Sequence, residues 1–571
     1  MSAEARLWTL ALGGAAALFL VQPPADLWML AWLAPLPWLR VVQLPQLPGR
    51  RPWLVLWAAG FAHWLATIHW LRLPHPATAV GWVVLSAYLA AYVPLFVWLA
   101  RRLVHGWRWP LVAAAAVAWV AAEHLRGTLF GGFTFAGLGH TQWRWTPLIQ
   151  CADAVGAVGV SGLVMAGAAG IAGLLPMGGR RPDRAAAAGA IAAGSLVVGA
   201  LLYGDLRLGT PPPSRGEQPL DVLLVQGCID TELKHDPAAA VDVALHYDEI
   251  TMAGLAAAEH APDLVVWPET MWRVGLLEVD PAVRFPEADI EAVFGPVVEP
   301  AADAAEDRQA RYRTLLERQR LEALAPFAVR YGTTWLVGLD RQRLLAADPP
   351  RWESLNAALF LDATGAVVAC YDKMYPVMFG EYTPLADRFP FLSRLTPLPG
   401  GLTAGREPVA VEIAGRRVAP TICYETALPA AVRTLVRRLD AAGERPDVIV
   451  NLTNDGWFWG SSELDMHLVA SIFRAVEVRT PVVIAANTGF SAAIDGSGRL
   501  LERGPRRATA ALRVRVRPDG RRSPWLVAGS LAAGACLAVA GAVLLEALVR
   551  SGVRRRGSPA TGTPGPEREP P

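Results

Sequence analysis

The sequence predicts an α/β domain inserted in a polytopic α-helical membrane domain of about eight spans. Three observations predict it. Hydrophobic residues make up 53% of the 571 residues and charged residues only 18%, too apolar a balance for a purely soluble enzyme. The mean hydropathy, +0.29, agrees. Apolar segments near membrane length fill the first 205 residues and return once close to the C-terminus, and strand-like runs alternate with helical ones in between.

The apolar segments lie at 8–22, 26–40, 53–71, 79–100, 107–125, 153–176 and 185–203, with a last one at 524–548. Several approach the roughly 20 residues that span a bilayer. Pro23 and Pro24 separate the first two, which reads as a tight helical hairpin. No small-residue cleavage site precedes Asp26, so the first segment is read as retained rather than as a signal peptide. The stretch 127–150 is apolar but broken by glycines and reads as re-entrant or interfacial. Many of the 22 Trp sit at the ends of apolar runs, where interfacial belts lie.

From 218 to 516 the runs DVLLVQGC, DLVVWPE, TTWLVGLD, NAALFLD, AVVACYDK, RVAPTICYE, DVIVNLTND and PVVIAANTG read as strands, with helical stretches at 306–329 and 463–478. An acidic insertion at 275–308 reads as a surface excursion. The expected layout is a membrane domain over 1–205, an α/β domain over 218–516, a last span at 524–548 and a disordered tail over 551–571, rich in Arg, Pro and Gly.

Basic loops set the orientation. Arg40, Arg50 and Arg51, then Arg101, Arg102 and Arg108, then Arg180, Arg181 and Arg184, and finally Arg550, Arg554, Arg555 and Arg556 all fall on one side of an eight-span chain. That side is cytoplasmic, together with the N-terminus, and the α/β domain is then external. Arg521 and Arg522 sit on the other side, but a domain this long translocates regardless of such charges. The net charge of +2 argues against nucleic acid or another acidic polymer as partner. Five scattered cysteines with no CxxC argue against a disulfide framework or a zinc site.

Three motifs end strand-like runs: Trp267-Pro268-Glu269, Tyr371-Asp372-Lys373 and Cys423-Tyr424-Glu425. Strand ends of an α/β sheet converge on one crevice, so a Glu, a Lys and a Cys are expected to meet there. Such a set suits acyl transfer. Glu269 takes the thiol proton and returns it to a leaving group. Lys373, with a backbone N–H near Cys423, stabilises the oxyanion. Cys423 attacks and holds the acyl group as a thioester. Singly, each residue has an ordinary reading: a solvated strand end for the Glu or Lys, inert filler for the Cys. Their joint order is what points to chemistry.

This order of Glu, Lys and Cys resembles the nitrilase superfamily. FGEYTP (Phe379 to Pro384), NLTNDGWF (Asn451 to Phe458), RAVEVRTP (Arg474 to Pro481), ANTGFSAAIDGSG and the opening VQGCID extend the match, as does Glu123-His124-Leu125-Arg126-Gly127 in the membrane part. Together they resemble the apolipoprotein N-acyltransferase family over about residues 1–548. The resemblance implies a nitrilase-like α-β-β-α sandwich, eight spans with the sandwich before the last, and Glu269, Lys373 and Cys423 as base, oxyanion cation and nucleophile. It also implies that Glu381 and Glu425 support this triad and that Tyr424 helps shape the acyl pocket. The implied reaction moves an acyl chain from a phospholipid, through a thioester, to the free amine of a diacylglyceryl-cysteine at an apolipoprotein N-terminus. No metal or organic cofactor is implied, and the implied location is the bacterial cytoplasmic (inner) membrane. A membrane-tethered amidase or nitrilase, and a degenerate nitrilase module on a transporter or scaffold, are the rival readings. The chain departs from the family pattern at His235, at Ile484, at the extra Trp459 and in the run Met374 to Gly380.

Polar residues within the membrane part are functional candidates by default. Glu123 and Arg126, three apart, are equally consistent with an ion pair on one helix face. His63 and His69 read as interior hydrogen-bonded residues, and Glu546 with Arg550 as a simple helix pair.

Overall fold

The computed structural model describes residues 2–176, 182–213, 218–230, 237–295, 302–386, 388–389, 391 and 401–556. Arg180, Arg181, Lys234, His235, part of the acidic insertion and the tail beyond 556 lie outside the described residues.

The first 209 residues are helical: α1 (Ala3–Leu20), α2 (Leu36–Gln43), α3 (Pro52–Thr67), α4 (Thr78–Ala90), α5 (Tyr92–Arg101), α6 (Leu111–Arg126), α7 (Thr146–Ile149), α8 (Ala152–Leu174) and α9 (Arg184–Gly209). Among the described residues five helical stretches are long and apolar enough to cross a membrane, 3–20, 78–106, 152–174, 184–209 and 531–551, rather than the expected eight. α3 and α6 have 16 residues each, and the expected segment 26–40 forms a 3-10 turn at Trp28–Trp32 followed by the eight-residue α2. Pro35 and Pro37 shorten the helix there, because proline lacks the N–H that an interior turn needs. The segment still folds back along α1. Trp38 Nε1 donates to the Ala11 carbonyl at 3.0 Å, and Gly49 lies beside the Glu4 side chain. The glycine-broken stretch after α6 holds two short 3-10 turns, at Leu129–Gly131 and Gly139–Gln142, and then α7.

The α/β part holds two six-stranded sheets. In order across the first lie β12 (Ala510–Val516), β1 (Leu220–Gln226), β2 (Leu264–Val279), β3 (Thr334–Leu345), β4 (Arg351–Leu361) and β5 (Val367–Asp372). The second runs β11 (Leu500–Arg503), β10 (Ala492–Ile494), β9 (Val482–Ala486), β8 (Val448–Thr453), β7 (Arg416–Ile422) and β6 (Val411–Ile413). Period-two alternation sorts their side chains. Val222, Leu224, Val266 and Phe360 of the first sheet pack against Val418, Ile422, Val450 and Val483 of the second. The intervening residues Leu223, Val225, Val265 and Trp267 face outward onto the helix Ala240–Ala256. The second sheet's outer face packs on Pro429–Ala441 and Glu463–Val478. The architecture is therefore the α-β-β-α sandwich. Every residue of Glu463–Val478 except Asp465 is buried, because the helix lies between this sheet and Ile149, Ala157 and Val160 of the membrane-type region.

The ends of the helical region differ. At one end Arg40 donates to the Leu175 and Pro176 carbonyls, and Arg101 to those of Val41, Val42 and Pro45 at 3.1 Å. The other end meets the sandwich, where buried Arg479 pairs with Asp153 of α8 at 2.6 Å and Arg207 reaches the Arg522 carbonyl.

Candidate active site

The predicted triad converges, though not at the edge of one sheet. Glu269 and Lys373 come from the first sheet and Cys423 from the second, so the site lies where the two sheets face each other. Glu269 sits where the pairing of β2 with β3 shifts register between Trp267 and Trp272. Its neighbour Thr270 has φ of 53°. The irregularity turns the Glu269 side chain into the inter-sheet space. Gly338 of β3 makes this possible: a Cβ there would lie 2.3 Å from the Pro268 carbonyl oxygen and 2.7 Å from the Glu269 Cα.

Lys373 follows β5 and is 1% exposed. Its Nζ is 2.7 Å from Glu381 Oε1 and 3.4 Å from Glu269 Oε1. Burial works against its charge, but the carboxylates of Glu381 and Glu269, with Cys423 beside them, raise its pKa above the usual lysine value. The ammonium is thus held charged in a dry site. Glu381 is fixed in turn by the Val377 amide, which donates to Oε2 at 2.7 Å.

Cys423 follows β7 and opens the short 3-10 helix Cys423–Ala427. Its φ of 50° is a conformation that non-glycine residues rarely adopt. The turn is held by several bonds to its carbonyl and to the residue before it. Asn451 Nδ2 donates to the Cys423 carbonyl at 3.1 Å, and His467 Nε2 meets the same oxygen at 3.2 Å. The residue is partly accessible. Burial, and then the Glu269 carboxylate, push its thiol well up, with Lys373 opposing. These surroundings favour the neutral thiol over the thiolate.

Glu425, expected to support the triad, bonds to the chain on either side of it. Its carboxylate accepts from the Tyr371 hydroxyl at 2.8 Å, the amides of Met374 at 2.7 Å and Tyr375 at 3.0 Å, and the Ile422 amide at 2.7 Å. It joins the backbone after Lys373 to the backbone before Cys423. Tyr424 packs on Phe135 with ring centroids 5.6 Å apart and donates to the Gly132 carbonyl at 3.2 Å. It faces the loop from the membrane-type region.

Sequence reasoning did not single out Asn356, Asn454 or His467. Asn356 Nδ2 donates to Glu269 Oε1 at 2.7 Å, and its carbonyl accepts from the Lys373 amide at 2.8 Å. The Asn454 amide donates to Glu269 Oε2 at 3.0 Å. Asn454 lies in the quoted NLTNDGWF run and Asn356 opens the quoted NAALFLD run within β4, which was the available signal. Asp455, Glu463 and His467 form a cluster whose ligand-type atoms lie within 4.8 Å of one another. The His467 ring is already engaged: Nδ1 meets Asp455 Oδ1 at 3.1 Å and Nε2 faces Cys423 and Thr426. While those bonds stand it has no lone pair to give a metal.

Comparison with known proteins follows the same division. Residues 14–170 match the apolipoprotein N-acyltransferase N-terminal domain, and residues 224–520 match carbon-nitrogen hydrolase. An apolipoprotein N-acyltransferase of Geobacter metallireducens is 30% identical, covering 90% of this chain and 91% of its own. One of Rhodopirellula baltica is 28% identical, covering 91% and 93%. Among solved structures, an amidase from Nesterenkonia sp. is similar over 53% of this chain and 92% of its own, at 17% identity and a TM-score of 0.33.

Proposed function

This chain belongs to the apolipoprotein N-acyltransferase family and to the carbon-nitrogen hydrolases, and from that premise we propose a mechanism, a donor and a membrane placement. It is an acyltransferase that N-acylates lipoproteins. The proposed donor is a phospholipid, and the acceptor amine is that of a diacylglyceryl-cysteine. The observation that carries the mechanism is the shared inter-sheet position of Glu269, Lys373 and Cys423, with Lys373 between two carboxylates.

In the first half-reaction the Cys423 sulfur attacks the donor's ester carbonyl. The thiol proton goes to Glu269, whose Oε2 keeps a lone pair beyond the one taken by the Asn454 amide. An ammonium has three N–H donors. Lys373 directs two of them at Glu381 and Glu269 and has a third for the tetrahedral oxyanion. Collapse breaks the ester C–O bond, and Glu269 returns the proton to the leaving lysophospholipid oxygen. In the second half the acceptor amine attacks the thioester and loses a proton to Glu269. The C–S bond breaks, and the thiolate takes that proton back. Glu381 holds Lys373, Glu425 holds both loops, and Tyr424 borders the acyl site.

For placement, the proposal is a helical domain over 1–205, an external catalytic domain over 218–516, a last span over 524–548 and a cytoplasmic tail over 551–571, in the inner membrane. The gathering of Arg40 and Arg101 at the end away from the sandwich supports it, and so does the return of residues 26–49 along α1. Reporter fusions at Arg184 and Pro300 should report opposite sides, and the same side for both would refute this topology. The enzymatic reading is tested in cells depleted of their own N-acyltransferase. The chain should restore N-acylated lipoprotein, and Cys423→Ala should not. Hydrolysis of small amides without amine transfer would instead favour a tethered amidase.

A further inference from the structure

Arg126 ends α6 and its side chain is 4% exposed. The ion pair that its spacing from Glu123 allows is not formed. Glu123 is occupied elsewhere: Oε1 accepts from Ser161 Oγ at 2.6 Å, and Oε2 from Trp119 Nε1 at 2.8 Å and the Leu138 amide at 3.3 Å. The Arg126 guanidinium lies over the Trp64 ring, 4.9 Å from its centroid; the Glu123 carboxylate shares its cavity, but among the described residues no acceptor or carboxylate reaches the guanidinium at hydrogen-bond or ion-pair distance. It lines a cavity of about 60 Å³ with His63, Trp64, Tyr92, Trp119 and Glu123. A water needs roughly 10–15 Å³ on this measure, so the space takes a few waters or one small polar group, not an acyl chain.

The cavity adjoins the nucleophile through one loop. The Arg126 carbonyl accepts from the Phe133 amide at 2.9 Å, which starts the loop. Gly132 then accepts from Tyr424, and Thr134 Oγ1 donates to the Ala427 carbonyl at 2.7 Å. Phe133 and Phe135 complete an aromatic path from Trp64 to Tyr424, with successive ring centroids 6.0, 5.9 and 5.6 Å apart. A group held at Arg126 therefore sits across this loop from the residue beside Cys423.

We propose that Arg126 binds the phosphate of the phospholipid donor and so sets which ester reaches Cys423. A buried cation without a partner calls for an anion, and the planar guanidinium fork matches phosphate oxygens. The donor carries such an anion close to its esters. The acceptor brings an amine, which the same charge would disfavour. The inference rests on the phospholipid-donor reading given above.

The test follows acylation of Cys423 by intact-protein mass spectrometry in the full-length purified enzyme. One donor is phosphatidylethanolamine; the other is p-nitrophenyl palmitate, an ester without phosphate. For Arg126→Gln, the ratio of kcat/KM for the phospholipid to that for the nitrophenyl ester should fall about ten- to a hundredfold, the scale of a lost charged hydrogen bond. The loss should lie mainly in KM, and Arg126→Lys should recover part of it. An unchanged ratio, with both donors slowed alike, overturns the assignment. So does protection of wild-type enzyme by inorganic phosphate that Arg126→Gln abolishes while the ratio stays unchanged, since the site would then serve free phosphate. Failure of wild-type enzyme to accept any acyl group from phosphatidylethanolamine, while the nitrophenyl ester still acylates it, would refute the donor reading itself and this inference with it.

Discussion

The inter-sheet site and the cavity beneath it treat buried charge in opposite ways. Between the sheets, Lys373 lies between Glu381 and Glu269, and Glu425 takes four donors from two loops. In the helical region, Arg126 is also buried and has an aromatic face, but among the described residues no carboxylate within ion-pair distance. The difference teaches where each part does its work. A site that stabilises charge developing in a reaction must be set before substrate arrives, because reorganisation then costs nothing at the transition state. A site that recognises an incoming charged ligand keeps its own charge for that ligand.

The largest expected effects break the first half of the comparison. Glu269→Gln, which cannot take the thiol proton, and Lys373→Ala, which loses the oxyanion donor, should each lower acyl transfer by about a hundredfold or more while the protein still inserts and folds. A Lys373→Ala enzyme with near wild-type turnover would remove Lys373 from the chemistry. Glu425→Ala should act first on stability, since each buried donor left without an acceptor costs about 1–3 kcal/mol. Its thermal unfolding should fall well below that of Glu381→Ala, whose carboxylate serves one ammonium and one amide. Equal melting of the two would mean that Glu425 does not tie the loops together.

Gly338→Ala is smaller and sharper. The added methyl meets the backbone of Pro268 and Glu269, an overpacking expected to cost about 1–3 kcal/mol. Turnover should drop more than stability, because the strain falls on the base. The smallest effect concerns His467. Burial opposes its charge, but Asp455 and the Cys423 carbonyl raise its pKa above the ordinary value. The sign then follows: the stabilisation is present below the unfolded value of about 6.5 and is lost as pH rises through the folded one. Wild-type stability should therefore decline from neutral to alkaline pH more than that of His467→Gln. Parallel profiles would show that His467 does not carry charge behind the nucleophile turn.

Much of this was legible where apolar runs end in a reactive residue. Lys373 and Cys423 directly follow a strand, whereas Glu269 lies at a register shift inside β2, which runs on to Val279; the structure brings all three together. Asn356 and Asn454 were not legible, because an asparagine in or after a strand looks like any solvated polar residue until its partner is placed. Glu425 was expected to support the triad; three of its four donors are main-chain amides, which sequence does not show. β6, β10 and β11 are three or four residues long, and in β12 arginines alternate with apolar residues, so none stands out as an apolar run. In the helical part, composition suggested a membrane segment over 26–40, whereas prolines divide it into a 3-10 turn and a short helix. The spacing of Glu123 and Arg126 allowed a pair, and contacts from α8 to Glu123 decided against it.

The central claim, that the acyl group passes through Cys423, is tested most directly by giving purified enzyme phospholipid alone and weighing it. A ping-pong mechanism predicts one fatty acyl group on Cys423, released by neutral hydroxylamine and discharged by a diacylglyceryl peptide with a free amine but not by one whose amine is blocked. Cys423→Ala should stay unmodified, with Cys228, Cys370 and the remaining cysteines bare in wild-type enzyme. An acyl group on another cysteine would move the nucleophile, and rapid discharge to water without an amine would contradict acyl transfer.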